Sequence, residues 1–431
     1  MDDRRRAVPR TDTVLAEPVV AEAVDRLGRP AVKAVVAGVL ESCRAGEVAP
    51  DGVVAEVVDR LPPSSTSLRA VVNATGVVVH TNLGRAPLSR AAVDALVLAA
   101  GATDVELDLA TGRRGARGRG ALAALRAAVP DAEDAHVVNN GAAAVALAAR
   151  ALAADREVVV ARGELVEIGD GFRIPELVES VGVRLREVGT TNRVRLEDYA
   201  AAVGERTAFV LKVHPSNFRV EGFTSSVGVA ELATLGLPVV ADLGSGLLRP
   251  HPRLPQEPDA TSALRAGASL VTASGDKLLG GPQCGLLLGR ADVVHALRRH
   301  PMARAVRVDK LTLAALEATL TGPIPPVAEA LSRSTADLEA RARRLAAAIG
   351  GDATVESTEG RVGGGGAPGV PLPSAAVSLP ADLAAPLRLG EPPVVGRVRG
   401  GRLLLDLLTL PEGADDVLLE AVRRVRSGGV G

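Results

Sequence analysis

The chain contains 431 residues, its formal net charge is -1, and 47% of its residues are hydrophobic. A chain of this length is too long for one ordinary core, so we expect two or three domains. The apolar content and the balanced charge exclude a disordered protein. Aromatic residues make up only 1% of the chain and tryptophan is absent, so its cores must be packed mainly with valine, leucine and alanine.

Two cysteines, Cys43 and Cys284, lie far apart in the sequence and form neither a disulfide framework nor a metal-binding spacing. Such cysteine use is typical of a reducing cytosol. The N-terminal residues lack the apolar segment of an export signal, and no apolar run approaches the ~18 residues of a membrane span. We therefore predict a cytoplasmic protein with no bound metal and with neither a membrane nor DNA as a partner.

Residues 1–66 have the pattern of a small helical domain. Valine and leucine recur at helical spacing over residues 19–40 and again over residues 53–61. The run Pro62-Pro63-Ser64-Ser65 then predicts a linker to the next domain.

Residues 67–325 alternate short apolar runs with alanine-rich amphipathic stretches. This rhythm predicts an α/β domain with a mostly parallel sheet and helices on both faces. The predicted strands cover residues 136–138, 157–160, 184–188, 208–213, 239–241 and 270–272.

Residues 326–431 have a different pattern, which predicts a small α+β domain. One long helix is expected over residues 326–349, and a flexible glycine-rich turn over residues 361–369. Strand-like pieces follow, and a final helix is expected over residues 415–425.

Lys277 is the most informative residue of the chain. Only four of the 50 Lys and Arg residues are lysine, and arginine cannot lose its proton as a reactive amine must. Lys277 follows an apolar strand and precedes a glycine pair, whereas Asp242 ends another buried strand upstream. A pyridoxal phosphate (PLP) enzyme needs this pair, because the lysine binds the cofactor aldehyde and the aspartate keeps the pyridine nitrogen protonated. The alternative is a surface lysine on a loop.

A PLP site also needs a cradle for the cofactor phosphate. Asn140, Gly141 and Ala142 lie where a predicted strand gives way to a helix, and free N–H groups at a helix start bind anions. Ser274 is a further candidate ligand, although a plain turn serine has the same pattern. His214 follows a strand at the same predicted edge, where it could contact the cofactor, move a proton, or serve only in a turn.

Three arginines occupy defined loop positions. Arg85 lies on a tight turn, and Arg304 and Arg307 would share one face if their segment is helical. Guanidinium groups suit phosphate-like oxyanions, so these residues could hold a phosphorylated co-substrate, or could be ordinary solvated arginines. The glycine-rich basic loop over residues 112–119 could likewise meet RNA or a phosphate, or be a surface loop.

Together these segments closely resemble the bacterial selenocysteine synthases, the L-seryl-tRNA(Sec) selenium transferase family. The likeness covers nearly the whole chain, and the lysine segment with its Gly-Gly-Pro-Gln tail is its most specific part. The matching stretches are residues 73–76, 80–85, 108–115, 162–169, 172–175, 187–193, 214–218, 274–283, 304–310 and 394–397.

The resemblance implies a fold-type-I PLP-dependent transferase with a helical N-terminal domain that binds tRNA, a large cofactor domain and a small C-terminal domain. It implies a homodecamer built from dimers. It also implies that Lys277 holds PLP, that Asp276 is its catalytically important neighbour, and that Arg85, Arg304 and Arg307 bind selenophosphate. The seryl group of seryl-tRNA(Sec) would then lose its α proton and β hydroxyl, and the resulting dehydroalanyl group would accept selenium.

The chain departs from the family pattern at three positions. Gly141 stands where the phosphate loop usually has a third asparagine, Ala116 where the arginine loop usually has serine, and Leu408 where we expect arginine. Residues 1–66 also carry nine Lys or Arg against eleven Asp or Glu. RNA binding by this domain would therefore depend on individually placed side chains or on a basic face that the total hides.

Two other functions share the lysine and aspartate motifs. One is a related PLP lyase that removes water or ammonia from a small amino acid or amino sugar, and the other is a non-catalytic RNA-binding scaffold. The helical N-terminal domain favours the synthase over the lyase, because a small-molecule lyase does not need to bind tRNA. Retention of Lys277, Asp242 and the three arginines favours an enzyme over a scaffold.

Overall fold

The computed structural model describes residues 7–169 and 171–428, and the chain divides into two compact units, Met1–Val71 and Val72–Gly431. The first unit is helical. Proline stands in the first turn of two of its helices, where the missing N–H has no helical partner to lose. Its core consists mainly of buried valine and leucine from four helices of the described residues. These helices are Thr11–Ala16, Pro18–Leu27, Arg29–Ala45 and Val53–Arg60.

The second unit is built on a seven-stranded sheet. Six of its strands are parallel, and only Gly285–Gly289 runs antiparallel to both neighbours. The predicted α/β fold with a mostly parallel sheet is thereby confirmed. In spatial order the strands are Asp134–Val138, Gly285–Gly289, Leu270–Ser274, Val239–Asp242, Thr207–Val213, Glu157–Ala161 and Arg184–Val188.

Helices cover both faces of this sheet, as the continuous apolar character of its strands requires. Leu287 packs on one face in a cluster with Leu147, whereas its neighbour Leu286 packs on the other face with Leu125. Because the helices cover the two faces, the carboxyl ends of the parallel strands are where a site can form. The helices of the second unit are Arg90–Ala100, Arg119–Ala128, Gly141–Ala153, Ile174–Ser180, Leu196–Ala202, Val229–Ala233, Ala260–Arg265, Ala291–Arg299, Pro301–Ala305, Lys310–Thr321, Pro326–Ser332, Thr335–Ile349, Ala384–Leu389 and Asp415–Arg426.

A second sheet of five strands forms the C-terminal part of this unit. Its strands are antiparallel except for Val77–Val79, which runs parallel to Thr354–Gly363 although it comes from the start of the unit. The remaining strands of the described residues form three two-stranded sheets. In spatial order the five strands are Arg397–Arg399, Arg402–Asp406, Leu372–Pro380, Thr354–Gly363 and Val77–Val79, and the pairs are Val72–Asn73 with Val394–Val395, Leu107–Asp108 with Arg113–Arg114, and Glu167–Ile168 with Phe172–Arg173.

One expectation for the C-terminal part was wrong and a second was only partly right. The single long helix over residues 326–349 is interrupted after Ser332, because Ser334 caps a new helix by accepting a hydrogen bond from the N–H of Asp337. In the glycine-rich stretch 361–369, residues 361–363 belong to a strand and residues 364–369 form turns and bends, in which Gly365 and Gly366 approach Lys277 and Leu278. None of the described helices is both long and apolar enough to cross a bilayer.

Candidate active site

The predicted site residues of the large sheet gather at the carboxyl ends of adjacent strands. Val213 pairs with Asp242, and Asp242 pairs with Thr272, so these three strands end side by side. The backbone N–H of His214 donates a hydrogen bond to the carbonyl oxygen of Asp242 at 2.9 Å. Lys277 follows the last of these strands on a turn of five residues. The fold therefore brings His214, Asp242 and Lys277 to one edge.

The carboxyl group of Asp242 is buried and has a hydroxyl group as a hydrogen-bond donor. Only 8% of the residue is exposed, and the Thr272 hydroxyl donates to its Oδ1 at 2.7 Å. Burial raises the pKa of Asp242, and the hydrogen bond from Thr272 and the positive charge of Lys277 act in the opposite direction. The influence of Lys277 means that its amine lies within electrostatic range of this carboxyl group.

Lys277 carries a buried amine without a direct partner. Burial lowers the pKa of Lys277, and the nearby carboxylates of Asp242 and Asp276 only partly oppose that shift. Across residues 7–169 and 171–428, its Nζ forms no hydrogen bond or ion pair. A lowered pKa makes it easier for this amine to lose its proton and act as a nucleophile.

The sequence reasoning missed what covers this lysine. A Cβ atom added to Gly365 would lie 2.6 Å from both Cε and Nζ of Lys277, so any larger residue there would displace the lysine side chain. Gly365 has a φ of 85°, which glycine also tolerates best. The run of four glycines at residues 363–366 was the available signal, but glycine runs are common in loops that contact nothing.

The predicted phosphate cradle lies where helix Gly141–Ala153 begins beside Ser274. Asn140 caps helix Gly141–Ala153 by accepting a hydrogen bond from the N–H of Ala143 at 2.8 Å. A Cβ atom at Gly141 would lie 2.6 Å from the Ser274 hydroxyl oxygen, so the helix start and Ser274 are in contact range. Ala142 is the second residue of the same helix. A helix start that carries free N–H groups and adjoins a hydroxyl is suited to a phosphate dianion.

Arg85 and Asp276 are brought together directly. Arg85 Nη1 lies 2.8 Å from Asp276 Oδ2, and the N–H of Ala86 donates to the Asp276 carbonyl at 3.2 Å. Arg85 has a φ of 66°, a left-handed conformation that is uncommon outside glycine. Its side chain is 42% exposed, so the guanidinium keeps donors free while it is held beside the lysine turn.

Arg304 and Arg307 do not share a helix face as the spacing suggested. Helix Pro301–Ala305 ends before Arg307, whose backbone instead bridges to Val138 at the entrance of the cradle. Arg307 Nη1 lies 3.8 Å from Glu106 Oε1, and Arg304 is exposed without an ion pair to any described residue.

Two arginines of the basic loop at residues 112–119 contact the carboxylate of Glu106, which also lies near Arg307. Glu106 also binds Arg114 at 2.8 Å and Arg117 at 3.3 Å, and the hydrogen bond from Arg117 lowers the pKa of Glu106 most. Three guanidinium groups thus surround one carboxylate, which leaves the region near Arg307 electropositive.

Glu257 is a second residue that the sequence reasoning missed. Its side chain is only 1% exposed, and Oε2 lies 3.4 Å from His214 Nε2. The same oxygen accepts a hydrogen bond from the N–H of Ala367, just beyond the glycine run, at 2.7 Å. Glu257 Oε1 has no hydrogen-bond partner among the described residues. No local pattern around Glu257 distinguishes it from a loop glutamate.

A cavity of about 660 Å³ opens at this edge of the sheet. Its walls include Asp242, His214, Glu257 and the Lys212–Glu164 ion pair. Lys277 itself is not a wall of this cavity, but it lies within electrostatic range of Asp242, which is one. The volume is in the range of small-molecule and cofactor sites.

These residues fit PLP. The buried carboxyl group of Asp242 could bind the protonated ring nitrogen, and the amine of Lys277, which has no partner among the described residues, could bind the aldehyde. The helix start at Gly141 could bind the phosphate. Among the described residues, no group of three or more His, Cys, Asp or Glu side chains is arranged to hold a metal ion.

Two of the three departures from the family pattern have local explanations, and nothing in the structure explains the third, Ala116. A side chain at residue 141 would collide with Ser274, so glycine there is compatible with this cradle. Leu408 is fully buried in the core of the five-stranded sheet against Gly360, and Arg333 Nη1 donates to its carbonyl at 2.7 Å. Ala116 is exposed on the basic loop.

Comparison with known proteins identifies the family. A family model described as L-seryl-tRNA selenium transferase matches residues 71–411, and a second, described as selenocysteine synthase N terminal, matches residues 5–44. The chain belongs to the L-seryl-tRNA selenium transferase family. The predicted family and its class of PLP-dependent transferase are confirmed.

Curated relatives match over most of the chain. An L-seryl-tRNA(Sec) selenium transferase from Hyphomonas neptunium is 43% identical over 99% of this chain and 99% of its own length. The protein of the same name from Geobacter metallireducens is 44% identical over 95% of this chain and 96% of its own length. The protein of the same name from Moorella thermoacetica is 47% identical over 85% of this chain and 83% of its own length.

Among solved structures, a D-glucosaminate-6-phosphate ammonia-lyase aligns with a TM-score of 0.59. The alignment covers 84% of this chain and 97% of that chain at 21% identity, so it shows a shared fold and nothing about function. It agrees with the predicted fold-type-I architecture. The individual site residues and the domain boundaries stay predictions.

Proposed function

We propose that this protein converts seryl-tRNA(Sec) to selenocysteinyl-tRNA(Sec) in the cytoplasm, with selenophosphate as the selenium donor. The observation that carries the proposal is the buried, partner-free amine of Lys277 beside the buried carboxyl group of Asp242. Full-length relatives at 43% to 44% identity carry the name of this activity, which supports it over the small-molecule lyase and the scaffold.

Each polar residue of the edge has a task in this reaction. When bound, PLP supplies an aldehyde and an electron-withdrawing ring. Lys277 would hold the aldehyde and, once displaced, would take the α proton of the seryl group. Asp242 would hold the proton of the ring nitrogen, and Asn140, Gly141, Ala142 and Ser274 would bind the phosphate.

His214 would hold or move a proton in this reaction. Its Nε2 faces the buried carboxylate of Glu257 at 3.4 Å, and that carboxylate is itself anchored by the N–H of Ala367. Such an arrangement suits the departure of the β hydroxyl group, which needs a proton as it leaves.

The selenium donor would bind to the arginines. Arg85 is fixed beside the lysine turn by Asp276, and Arg307 adjoins the cradle in an electropositive region. We expect Arg304→Ala or Arg307→Ala to impair selenium addition more than loss of the β hydroxyl group. Equal loss in the two half-reactions would contradict this assignment.

We further infer the division of labour along the chain. Residues 1–66 would bind tRNA, residues 67–325 would hold PLP, and residues 326–431 would complete the site, in a homodecamer built from dimers. Deletion of residues 1–66 should abolish tRNA binding while cofactor absorbance is kept, and light scattering of the intact protein should give the decamer mass.

The direct test offers the purified protein seryl-tRNA(Sec) with selenophosphate and, separately, free serine. We expect selenium to enter the aminoacyl group of the tRNA, and we expect no turnover of free serine. Turnover of free serine with indifference to the tRNA would establish the lyase instead. A protein without the absorbance of bound cofactor would establish the scaffold.

A further inference from the structure

One loop holds the exposed aromatic side chains of the cavity mouth. The whole chain has only four Phe, one Tyr and no Trp. Phe209 and Tyr199 are fully buried, whereas Phe218 is 39% exposed and Phe223 is 77% exposed. Both exposed rings belong to residues 217–226, which we call the mouth loop. In a chain so poor in aromatic residues, two solvent-facing rings in one loop require an explanation other than packing.

The mouth loop is fixed rather than loosely attached. Asn192 Nδ2 donates to the Phe223 carbonyl at 2.6 Å, and the Ser225 N–H donates to the Asn192 carbonyl at 3.1 Å. The Val194 N–H donates to the Ser225 carbonyl at 3.1 Å. The ring of Phe223 is therefore presented by a backbone that is pinned to residues 190–194.

Phe223 presents a single open face. The guanidinium carbon of Arg193 lies 4.1 Å from the centre of the Phe223 ring. This stacking covers one face, and the high exposure of the residue means that the other face meets solvent. A flat cation and an aromatic ring together form a platform of the kind on which unpaired bases stack.

The platform borders the reaction cavity. Arg193, Phe218 and Thr224 line the same cavity as Asp242 and His214. Arg219 lies at this mouth with a side chain 44% exposed, and its nearest carboxylate, Glu221, is 3.6 Å away. A substrate that reaches Asp242 and His214 through this cavity passes the mouth loop.

We propose that the mouth loop binds the unpaired 3′-terminal nucleoside of the aminoacylated tRNA, with a base stacked on Phe223 and the adjoining phosphate near Arg193 and Arg219. This inference rests on the proposed function. The seryl group is esterified to the terminal ribose, so the terminal base lies only a few bonds from the reacting carbon. Stacking on an aromatic face selects a nucleoside without requiring a particular sequence.

The test measures binding to the cofactor-containing enzyme by calorimetry. One probe is the stable seryl amide of 3′-amino-3′-deoxyadenosine, and the other is serine methyl ester, which has no nucleoside. We expect Phe223→Ala to weaken binding of the nucleoside probe about 10-fold or more and to leave serine methyl ester unchanged. Phe223→Trp should retain binding. Leu389→Ala, which removes an equally exposed apolar side chain at 68% exposure elsewhere, is the matched control.

The outcomes separate this inference from the proposed function. Equal affinity of wild type and Phe223→Ala for the nucleoside probe would overturn the inference alone, provided that wild type converts seryl-tRNA(Sec). Failure of wild type to convert seryl-tRNA(Sec) would overturn the proposed function. A change in oligomeric mass in Phe223→Ala with unchanged nucleoside affinity would assign the loop to a subunit contact and would also overturn the inference.

Discussion

Two partly buried lysines stand at the same edge of the large sheet, and only one of them is suited to react. Lys212 is 20% exposed and is held in an ion pair with Glu164, whose other oxygen accepts the N–H of Val213 at 3.0 Å. Lys277 has no direct partner among the described side chains and is covered by Gly365. A position at a strand end is therefore not enough to make a lysine a nucleophile.

What separates the two amines is the distance of the nearest carboxylate. A carboxylate in contact keeps an ammonium ion charged, whereas burial with carboxylates only at a distance favours the neutral amine. Lys212 would act as a structural charge that secures the loop of Glu164, and Lys277 as the chemical group.

Replacement of Lys277 tests this contrast with the largest effect. We expect Lys277→Ala to lower turnover on the order of 10⁴-fold or more, as loss of a covalent nucleophile does. Borohydride reduction followed by mass spectrometry should find no cofactor joined to the chain. Cofactor fixed to Lys212 in this variant would contradict the distinction between the two lysines.

Asp242→Asn should have the next largest effect. The amide keeps the shape of the carboxyl group but cannot carry the charge that a protonated ring nitrogen needs, so we expect turnover to fall roughly 10²- to 10³-fold. Covalent attachment at Lys277 should persist, as mass spectrometry of the reduced protein can check. Full activity would remove Asp242 from the site.

Gly365→Ala probes the cover of Lys277. The added methyl group would overlap the lysine side chain, so we expect turnover to fall by about 10²-fold through misplacement of the amine. Gly236→Ala is the matched control, since Gly236 also has a positive φ of 74° but no atom within 4 Å of its added Cβ. Equal losses in both variants would attribute the effect to backbone strain.

Lys212→Met should damage stability instead of chemistry. Breaking the pair leaves Glu164 buried without its cation, which should lower the free energy of unfolding by about 3 kcal/mol. Lys212→Met combined with Glu164→Gln should recover much of that loss in urea unfolding. Loss of covalent cofactor at Lys277 in the folded single variant would show that the lysines are not independent.

The smallest effect concerns the pH dependence of the cofactor-free protein. Burial raises the pKa of Asp242 above its ordinary value of 3.8, so the folded state holds this proton to higher pH than the unfolded state does. Folding stability contributed by this group is present below pH 3.8 and is lost as pH rises through the raised pKa. Asp242→Asn should abolish that loss in urea unfolding measured across this window. An unchanged pH slope would contradict the shift.

The large sheet and the reactive pair could be predicted from sequence because each depends on local pattern. Apolar runs of three to six residues define six of the seven strands, all but Gly285–Gly289, and parallel strands place their end residues at one edge. Lys277 and Asp242 lie at that edge because each stands at or just after the end of such a strand. The same reasoning could not place Arg307 outside a helix, because the end of a short helix depends on its tertiary contacts, here the bridge to Val138.

Glu257 and Gly365 could not be found in this way because their roles exist only across long sequence separations. Glu257 meets His214 and Ala367, and Gly365 meets Lys277, through the packing of separate loops. A glutamate or glycine in a loop has no periodic signature, so only the assembled structure reveals such contacts.

Strand Val77–Val79 has a consequence for the order of synthesis. It lies near the start of its unit, yet its sheet partner is Thr354–Gly363, and Ala74 accepts a hydrogen bond from the N–H of Asp406 at 2.8 Å. A ribosome therefore releases Lys277 long before Gly365, which covers it, and the strand that pairs with Val77–Val79 emerge. The nascent chain cannot present a finished cofactor pocket until translation is almost complete.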